Sequence, residues 1–294
     1  MTRRGIILAG GAGTRLYPAT LAISKQLLPI FDKPMVYYPL TTLMMCGIKE
    51  ILIISTPEDT PKYKQLFGNG HQWGIHLEYA IQPSPDGLAQ ALIIAEDFLN
   101  KSPSTLILGD NLFFGAGLEK LLQQAFKQTK GATIFSHPVN NPKRYGVVTM
   151  DEHGNATGIE EKPENPKSNF VVTGIYFYDE EASSLARTLK PSARGELEIT
   201  DLNCLYLEQK TLKVTQLGKG YTWLDTGTHN SLLQASKYVQ TLQHYHGHKI
   251  GCPEEVSWKK GWISSEQLLT LAQALSKNEY GLYLRNLIHE GNQS

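Results

Sequence analysis

"IILAGGAGTRLYP", residues 6–18, decides how this chain is built: four apolar residues stop at three glycines within four positions, Gly10, Gly11 and Gly13. An apolar run that stops at glycine reads as a buried strand opening into a loop. Two familiar loops do not fit. The dinucleotide pattern G-x-G-x-x-G, framed on Gly11 and Gly13, meets Leu16 where its last glycine should stand, so the close helix–strand approach is lost. A P-loop needs Gly-Lys-Ser/Thr, and none follows. What remains is either a plain turn or a cradle whose backbone N–H groups face an anion, with Arg15 at its edge.

Outward from this loop the same texture repeats. "GIILA" (5–9), "EILIIS" (50–55) and "TLILG" (105–109) read as strands buried on both faces, as in a parallel sheet. Helical patterns lie between and after them, at 33–47, 86–99 and 116–129, with Pro34 suited to a first helical turn and Gly47 to a helix stop. Strand alternating with helix predicts an α/β layer. From about residue 131 strands dominate. Residues 145–163 predict a hairpin turning at Glu152–Asn155, 169–179 another strand, and 211–228 two more; helices are expected at 180–189 and 196–209. After Thr228 the pattern is mainly helical. The expected division is an α/β core with an added β region over 1–228, and a helical part over 229–294 packed on it.

Composition narrows the function classes. With 28 Lys+Arg against 28 Asp+Glu, the balance argues against a nucleic-acid binder that relies on a basic surface overall and leaves room only for a local basic patch. No stretch approaches the ~20 apolar residues of a membrane span, and the run at 6–9 is too short for a signal-peptide core. Cys46, Cys204 and Cys252 are odd in number and widely spaced, which fits a reducing cytoplasm. The sequons at Asn155–Thr157 and Asn292–Ser294 are then accidents of composition. His244, His246 and His248 alternate rather than repeat at i, i+4, so they read as a solvated connection, not a zinc pair.

Continued, the opening segment reads "GGAGTRLYPATLAISKQLLPIFDKPMVYYPL", with Lys25 ten residues beyond Arg15. It resembles the signature of the sugar-1-phosphate nucleotidyltransferases, G-x-G-T-R-L-x-P-x-T followed by a lysine in a K-Q-L-L-P-like segment. The resemblance continues through "QPSPDGLAQAL" (82–92), "LGDNLFFGAGL" (108–118), "NNPKRYGVV" (140–148), "EEKPENPKSNFVVTGIYFYD" (160–179), "RGELEITDLN" (194–203), "WLDTGTHNSLLQAS" (223–236) and "KKGWI" (259–263). Order and spacing over nearly the whole chain carry it. It implies a Rossmann-like three-layer α/β/α fold with a mixed, mostly parallel sheet.

The implied reaction is attack by glucose 1-phosphate on the α-phosphorus of dTTP, the first step toward dTDP-deoxysugars such as dTDP-rhamnose. Two anionic reactants must meet, which calls for cations, a metal and alignment rather than a covalent nucleophile. By resemblance, Arg15, Lys25, Lys162 and Asp110 are catalytic, and Asp110 and Asp225 hold Mg²⁺. Taken alone, each aspartate reads rather as a turn residue or helix cap, and only the matched frames reverse that. Gly10, Gly13 and Thr14 would cradle nucleotide phosphates, and Gln26, Gln82 and Gly87 would meet the thymine. Asn111, Tyr145, Gly146, Glu161, Lys162, Val172 and Trp223 would surround the sugar.

Family members of this type often form tetramers built from dimers and carry a second, intersubunit nucleotide site. Phe114 and Lys259 stand here where tyrosine and arginine are expected, which sets feedback through that site in question, since lysine lacks the planar fork of arginine. The nearest rival is uridylyl transfer, which differs by one methyl group. A non-catalytic nucleotide-sugar sensor would be expected to lose the cations or aspartates that this chain keeps, and a dehydrogenase is opposed by the missing glycine.

Overall fold

The computed structural model describes residues 2–11 and 13–291; the sequon at Asn292–Ser294 lies outside them. Strand β1 (Arg4–Ala9) is followed by a two-residue ribbon, β2 (Pro29–Ile30) with β3 (Lys33–Pro34), then helix α1 (Tyr37–Met45). Next come β4 (Glu50–Ser55), α2 (Thr60–Phe67), β5 (His76–Ile81), α3 (Gln90–Ile94), α4 (Glu96–Leu99), β6 (Ser104–Leu108), β7 (Asn111–Gly115) and α5 (Leu118–Phe126). The strand-rich middle holds β8 (Ala132–Pro138), β9 (Gly146–Met150), β10 (Ala156–Glu161) and β11 (Phe170–Tyr178), then α6 (Ala182–Thr188), α7 (Ile199–Glu208), β12 (Leu212–Gln216) and β13 (Tyr221–Asp225). Four helices follow: α8 (His229–His246), α9 (Pro253–Lys259), α10 (Ser265–Ala274) and α11 (Glu279–Gly291).

Nine strands form one mixed sheet in which β4 and β6 flank β1, both parallel to it. Beyond β6 lies antiparallel β11, which pairs along its length with β8 and near its start with β9. Only β10 and β11 run against the rest. The three layers follow from the period of two along each strand. Ile7, Ile51, Ile53 and Ile107 face α1, α2 and α5, whereas Ile6, Leu8, Leu52 and Leu106 face the helices α3, α4, α6 and α7.

Several expected boundaries move for local reasons. Pro34 belongs to the ribbon strand β3, not to a helix's first turn, and α1 starts only at Tyr37. The helix expected at 86–99 begins at Gln90 and divides at Ala95. Gly87 has φ +110°, and a β-carbon there would stand 2.3 Å from the carbonyl oxygen of Leu197, so the chain before α3 is clamped to the crossing segment. Strands β12 and β13 do not pair with each other; β12 extends the main sheet beside β8, and β13 forms a separate ribbon with β7. Strands β5, β7 and β8 are additions to the sequence reading. The segment around His244 is helical through His246, and all three histidines are exposed as expected.

Helix α8 buries Ala235 and Val239 against Ile30, Met35, Tyr38, Leu112 and Phe114. Helices α9 to α11 share a small core around Cys252, Ile263, Leu268, Ala272, Leu284 and Leu287. All three cysteines are free. Among the described residues no helix is long and apolar enough to cross a membrane.

Candidate active site

In open α/β sheets ligands bind beyond the carboxyl ends of the strands, where the strand order reverses. Here that point lies between β1 and β6. The glycine loop leaves β1 and Asp110 leaves β6, and together they open onto a cavity of about 630 Å³. Its walls include every residue that the resemblance assigns to catalysis, metal, nucleotide or sugar: Gly10, Gly13, Thr14, Arg15, Lys25, Gln26, Gln82, Gly87, Asp110, Asn111, Tyr145, Gly146, Glu161, Lys162, Val172, Trp223 and Asp225.

The two aspartates meet through the β7–β13 ribbon, whose register sets Asn111 opposite Asp225. Thr226, fully buried, locks the joint by donating from its backbone N–H and from Oγ1 (2.9 Å) to the carbonyl oxygen of Asp110. Asp110 Oδ2 accepts from Lys25 Nζ in an ion pair, and Oδ1 accepts from Asn111 Nδ2 at 2.8 Å. Burial works to raise the Asp110 carboxyl, but the Lys25 charge and these hydrogen bonds leave it below the usual range. Asp225 goes the other way, raised by burial and then by the charge of Asp110. Its Oδ2 accepts from Tyr145 Oη at 3.3 Å. A β-carbon built on Gly227 would lie 3.1 Å from Asp225 Oδ1 and 3.4 Å from Arg15 Nη1, so Arg15 approaches the same acid.

This donor set suits a hard divalent cation completed by phosphate oxygens and water. It supplies two facing carboxylates, and among the described residues no group of three or more His, Cys, Asp or Glu side chains is arranged to hold a metal by itself. Burial first, and then the charge of Asp110, raise the Asp225 carboxyl, and a bound cation would offset both.

Around the rest of the cavity, Gln26 is held through Oε1 by Ser24 Oγ (2.8 Å), itself bonded to Tyr63 Oη (2.9 Å). Glu161 Oε1 meets Lys162 Nζ at 3.2 Å, and its Oε2 accepts from Thr200 Oγ1 at 2.5 Å. Lys162 takes φ +44°, a left-handed conformation rare for a side-chain-bearing residue and often found at functional sites. Trp223 donates from Nε1 to Asn111 Oδ1 and packs edge-on to Tyr145 at 5.3 Å. Asn111 is therefore spanned between Asp110 and Trp223.

The cavity also contains residues that sequence reasoning passed over, among them Arg144, Gly174, Arg194, Glu198 and Thr200. Arg194 donates from Nη2 to both oxygens of Glu198, at 2.7 and 2.8 Å, and approaches Glu161 at 3.4 Å. Three of them lie in "RGELEITDLN", but an Arg-Gly-Glu run has no spacing that separates a site from a charged turn.

Comparison with known proteins places the chain in a family. A profile of the nucleotidyl transferase family matches residues 4–241, and the chain belongs to that family. Within it the similarity is to glucose-1-phosphate thymidylyltransferases: that of Xanthomonas campestris pv. campestris is 55% identical over 289 residues, 98% of each chain. Among solved structures, a Bacillus anthracis protein described as a glucose-1-phosphate thymidylyltransferase, in complex with sucrose, aligns with TM-score 0.75 and 40% identity over 81% of this chain and 95% of its own. A UDP-glucose pyrophosphorylase bound to UDP-glucose shares the fold, with TM-score 0.72 at 24% identity over 84% of this chain and all of its own.

Proposed function

We propose that this nucleotidyltransferase moves a thymidylyl group from dTTP to α-D-glucose 1-phosphate, releasing pyrophosphate and forming dTDP-glucose. One observation carries the reading: Arg15, Lys25 and Lys162 converge with Asp110 and Asp225 on a single cavity. The full-length similarity to thymidylyltransferases supports the choice of base and sugar.

The glycine loop and Thr14 hold the nucleotide phosphates with backbone donors, and Arg15 balances the charge that collects on the departing pyrophosphate. Lys25 and Lys162 neutralise the sugar phosphate and the α-phosphate, which lets a phosphate oxygen of the sugar form its bond to the α-phosphorus as the α–β bridging bond breaks. Gln26 and Gln82 meet the thymine beside Gly87. Glu161 accepts from sugar hydroxyls, with Tyr145, Gly146, Val172 and Trp223 shaping the pocket, and Asn111 steadies Asp110 as well as the sugar. Mg²⁺ held by Asp110 and Asp225 supplies Lewis-acid charge stabilisation when bound.

A pyrophosphate-release assay over dTTP, UTP and dCTP, paired with glucose 1-phosphate and other sugar phosphates, tests this. Turnover should be greatest with dTTP and glucose 1-phosphate and vanish with EDTA. Preference for UTP, or turnover untouched in Asp110→Asn, overturns it.

We also propose a cytoplasmic homotetramer whose 229–294 part supplies contact surface. Leu233, Tyr245, Leu269 and Leu282 are exposed there, and the free cysteines suit a reducing compartment. Phe114 is buried against Tyr38 and Tyr238 and offers no hydroxyl, whereas Lys259 is exposed and paired along its helix with Glu255, so feedback through a second nucleotide site stays in question. Light scattering of the purified protein measures the assembly.

A further inference from the structure

One wall of the cavity holds a chain of amides whose direction the protein itself dictates. Asp86 carries a carboxylate, which only accepts. Its Oδ2 takes hydrogen bonds from Gln90 Nε2 at 2.9 Å and from Ser84 Oγ at 2.5 Å. With its nitrogen so committed, Gln90 turns its oxygen inward, where Oε1 accepts from Gln82 Nε2 at 2.7 Å. Gln82 Nε2 also faces the carbonyl of Gly87, at 3.5 Å. Two glutamines are thus polarised in series from one acid.

The group left to face the cavity is Gln82 Oε1. Gln82 is 4% exposed and lines the cavity, and no described residue donates to that oxygen. Glycine at position 10 makes the room for it, since a β-carbon there would stand 2.1 Å from Oε1. A free glutamine amide can present either end to a ligand, and this one is held with the acceptor outward.

We propose that Asp86 and Gln90 are positioning residues that set base specificity: by fixing Gln82 with its oxygen toward the base, they admit pyrimidines with a ring N–H and reject those without. Thymine and uracil carry a donor at N3; cytosine carries an acceptor there, and opposing it to Gln82 Oε1 leaves two buried acceptors face to face. The inference rests on the reading that Gln82 meets the base. It adds a reason why neither a methyl pocket nor charge has to exclude cytidine nucleotides.

The test compares kcat/KM for dTTP and dCTP, each with glucose 1-phosphate. In Gln90→Met the amide of Gln82 is free to turn, and the dTTP:dCTP ratio should fall about tenfold to a hundredfold. Gln90→Lys donates where glutamine accepted, draws Oε1 away from the base and should shift the ratio further. The double variant Asp86→Asn with Gln90→Glu keeps an acceptor toward Gln82, without setting two carboxylates together, and should keep the preference. Asp86→Ala, on the exposed loop, should give a smaller shift in the same direction and serves if position 90 tolerates no change. Equal losses for both nucleotides in Gln90→Met and Asp86→Ala overturn this proposal alone. A wild-type enzyme with no preference for dTTP over dCTP overturns the assignment of the cavity, and this proposal with it.

Discussion

Asp110 and Asp225 in the catalytic cavity, and Glu254 and Glu255 under the C-terminal helices, are two pairs of largely buried acids that the fold treats in opposite ways. Each oxygen of the glutamate pair has a partner. Trp73 Nε1 and Tyr280 Oη donate to Glu254 at 3.0 and 2.7 Å, while Lys259 Nζ and Tyr283 Oη donate to Glu255, both at 2.6 Å. The aspartate pair shares less. Lys25 is ion-paired with Asp110, while Asp225 receives one long bond from Tyr145, and burial and the charge of Asp110 outweigh the charges of Lys25, Arg15 and Arg144 around it. Satisfied acids hold helices together; a strained pair stores a demand for positive charge that a ligand can meet.

The strongest way to break this contrast is to remove the strain. Asp225→Asn should lower turnover by about a hundredfold or more, since charge stabilisation at the reacting phosphates is lost. Without metal it should melt no lower than wild type, because a buried like charge is gone. Melting curves in EDTA and in Mg²⁺ check both halves: Mg²⁺ should stabilise wild type and leave Asp225→Asn nearly unmoved. A large loss of stability in EDTA would show that Asp225 is structural.

Glu254→Ala should do the reverse. It strands the buried indole N–H of Trp73 and the hydroxyl of Tyr280 and should cost about 2–4 kcal/mol of stability. Below its melting point kcat should stay near wild type. Urea denaturation with parallel assays measures this, and a large fall in kcat at full folding contradicts the separation of the two regions.

The pH dependence sharpens the comparison with the smallest effect. The folded Asp225 carboxyl binds its proton more tightly than the unfolded one. Between the ordinary aspartate range and its raised value the native state therefore holds more protons, so stability due to this group is present at low pH and lost as the pH rises through that window. Asp110, held below the usual range, contributes in the opposite sense: its stabilisation is lost as the pH falls through its lowered value. In EDTA the melting temperature should fall modestly on raising the pH through the Asp225 window, and Mg²⁺ should flatten the slope. A flat EDTA profile would remove the strain assigned to Asp225.

Much of this was legible beforehand because it rests on short-range rules. "GIILA", "EILIIS" and "TLILG" became the strands β1, β4 and β6, and the hairpin at 145–163 folded as read. Strand β5 was missed at the sheet edge, where its burial is uneven, and β7 and β8 were missed because neither has helices on both flanks to frame it. Arg194, Glu198 and Thr200 look like a charged turn in the sequence, because only the fold sets Arg194 and Thr200 against Glu161 at the end of β10, with Glu198 bound to Arg194. Asn111 was read as a sugar contact; its bond to Asp110 was not visible, because the direction of a side chain depends on its neighbours in space.

By itself the sequence determined the alternation of buried strand and helix, the glycine loop and the inventory of cations and acids, because steric freedom and side-chain period act within a few residues. Tertiary structure alone decided which acids meet, which carry strain and which way each glutamine amide points. The meeting of the acids depends on contacts between segments about a hundred residues apart, such as the register of β13 on β7 that sets Asp225 beside Asp110, and on the low-dielectric setting those contacts create; the amide directions depend on side-chain bonds that span only a few residues but form only once the 82–90 loop is folded against the sheet.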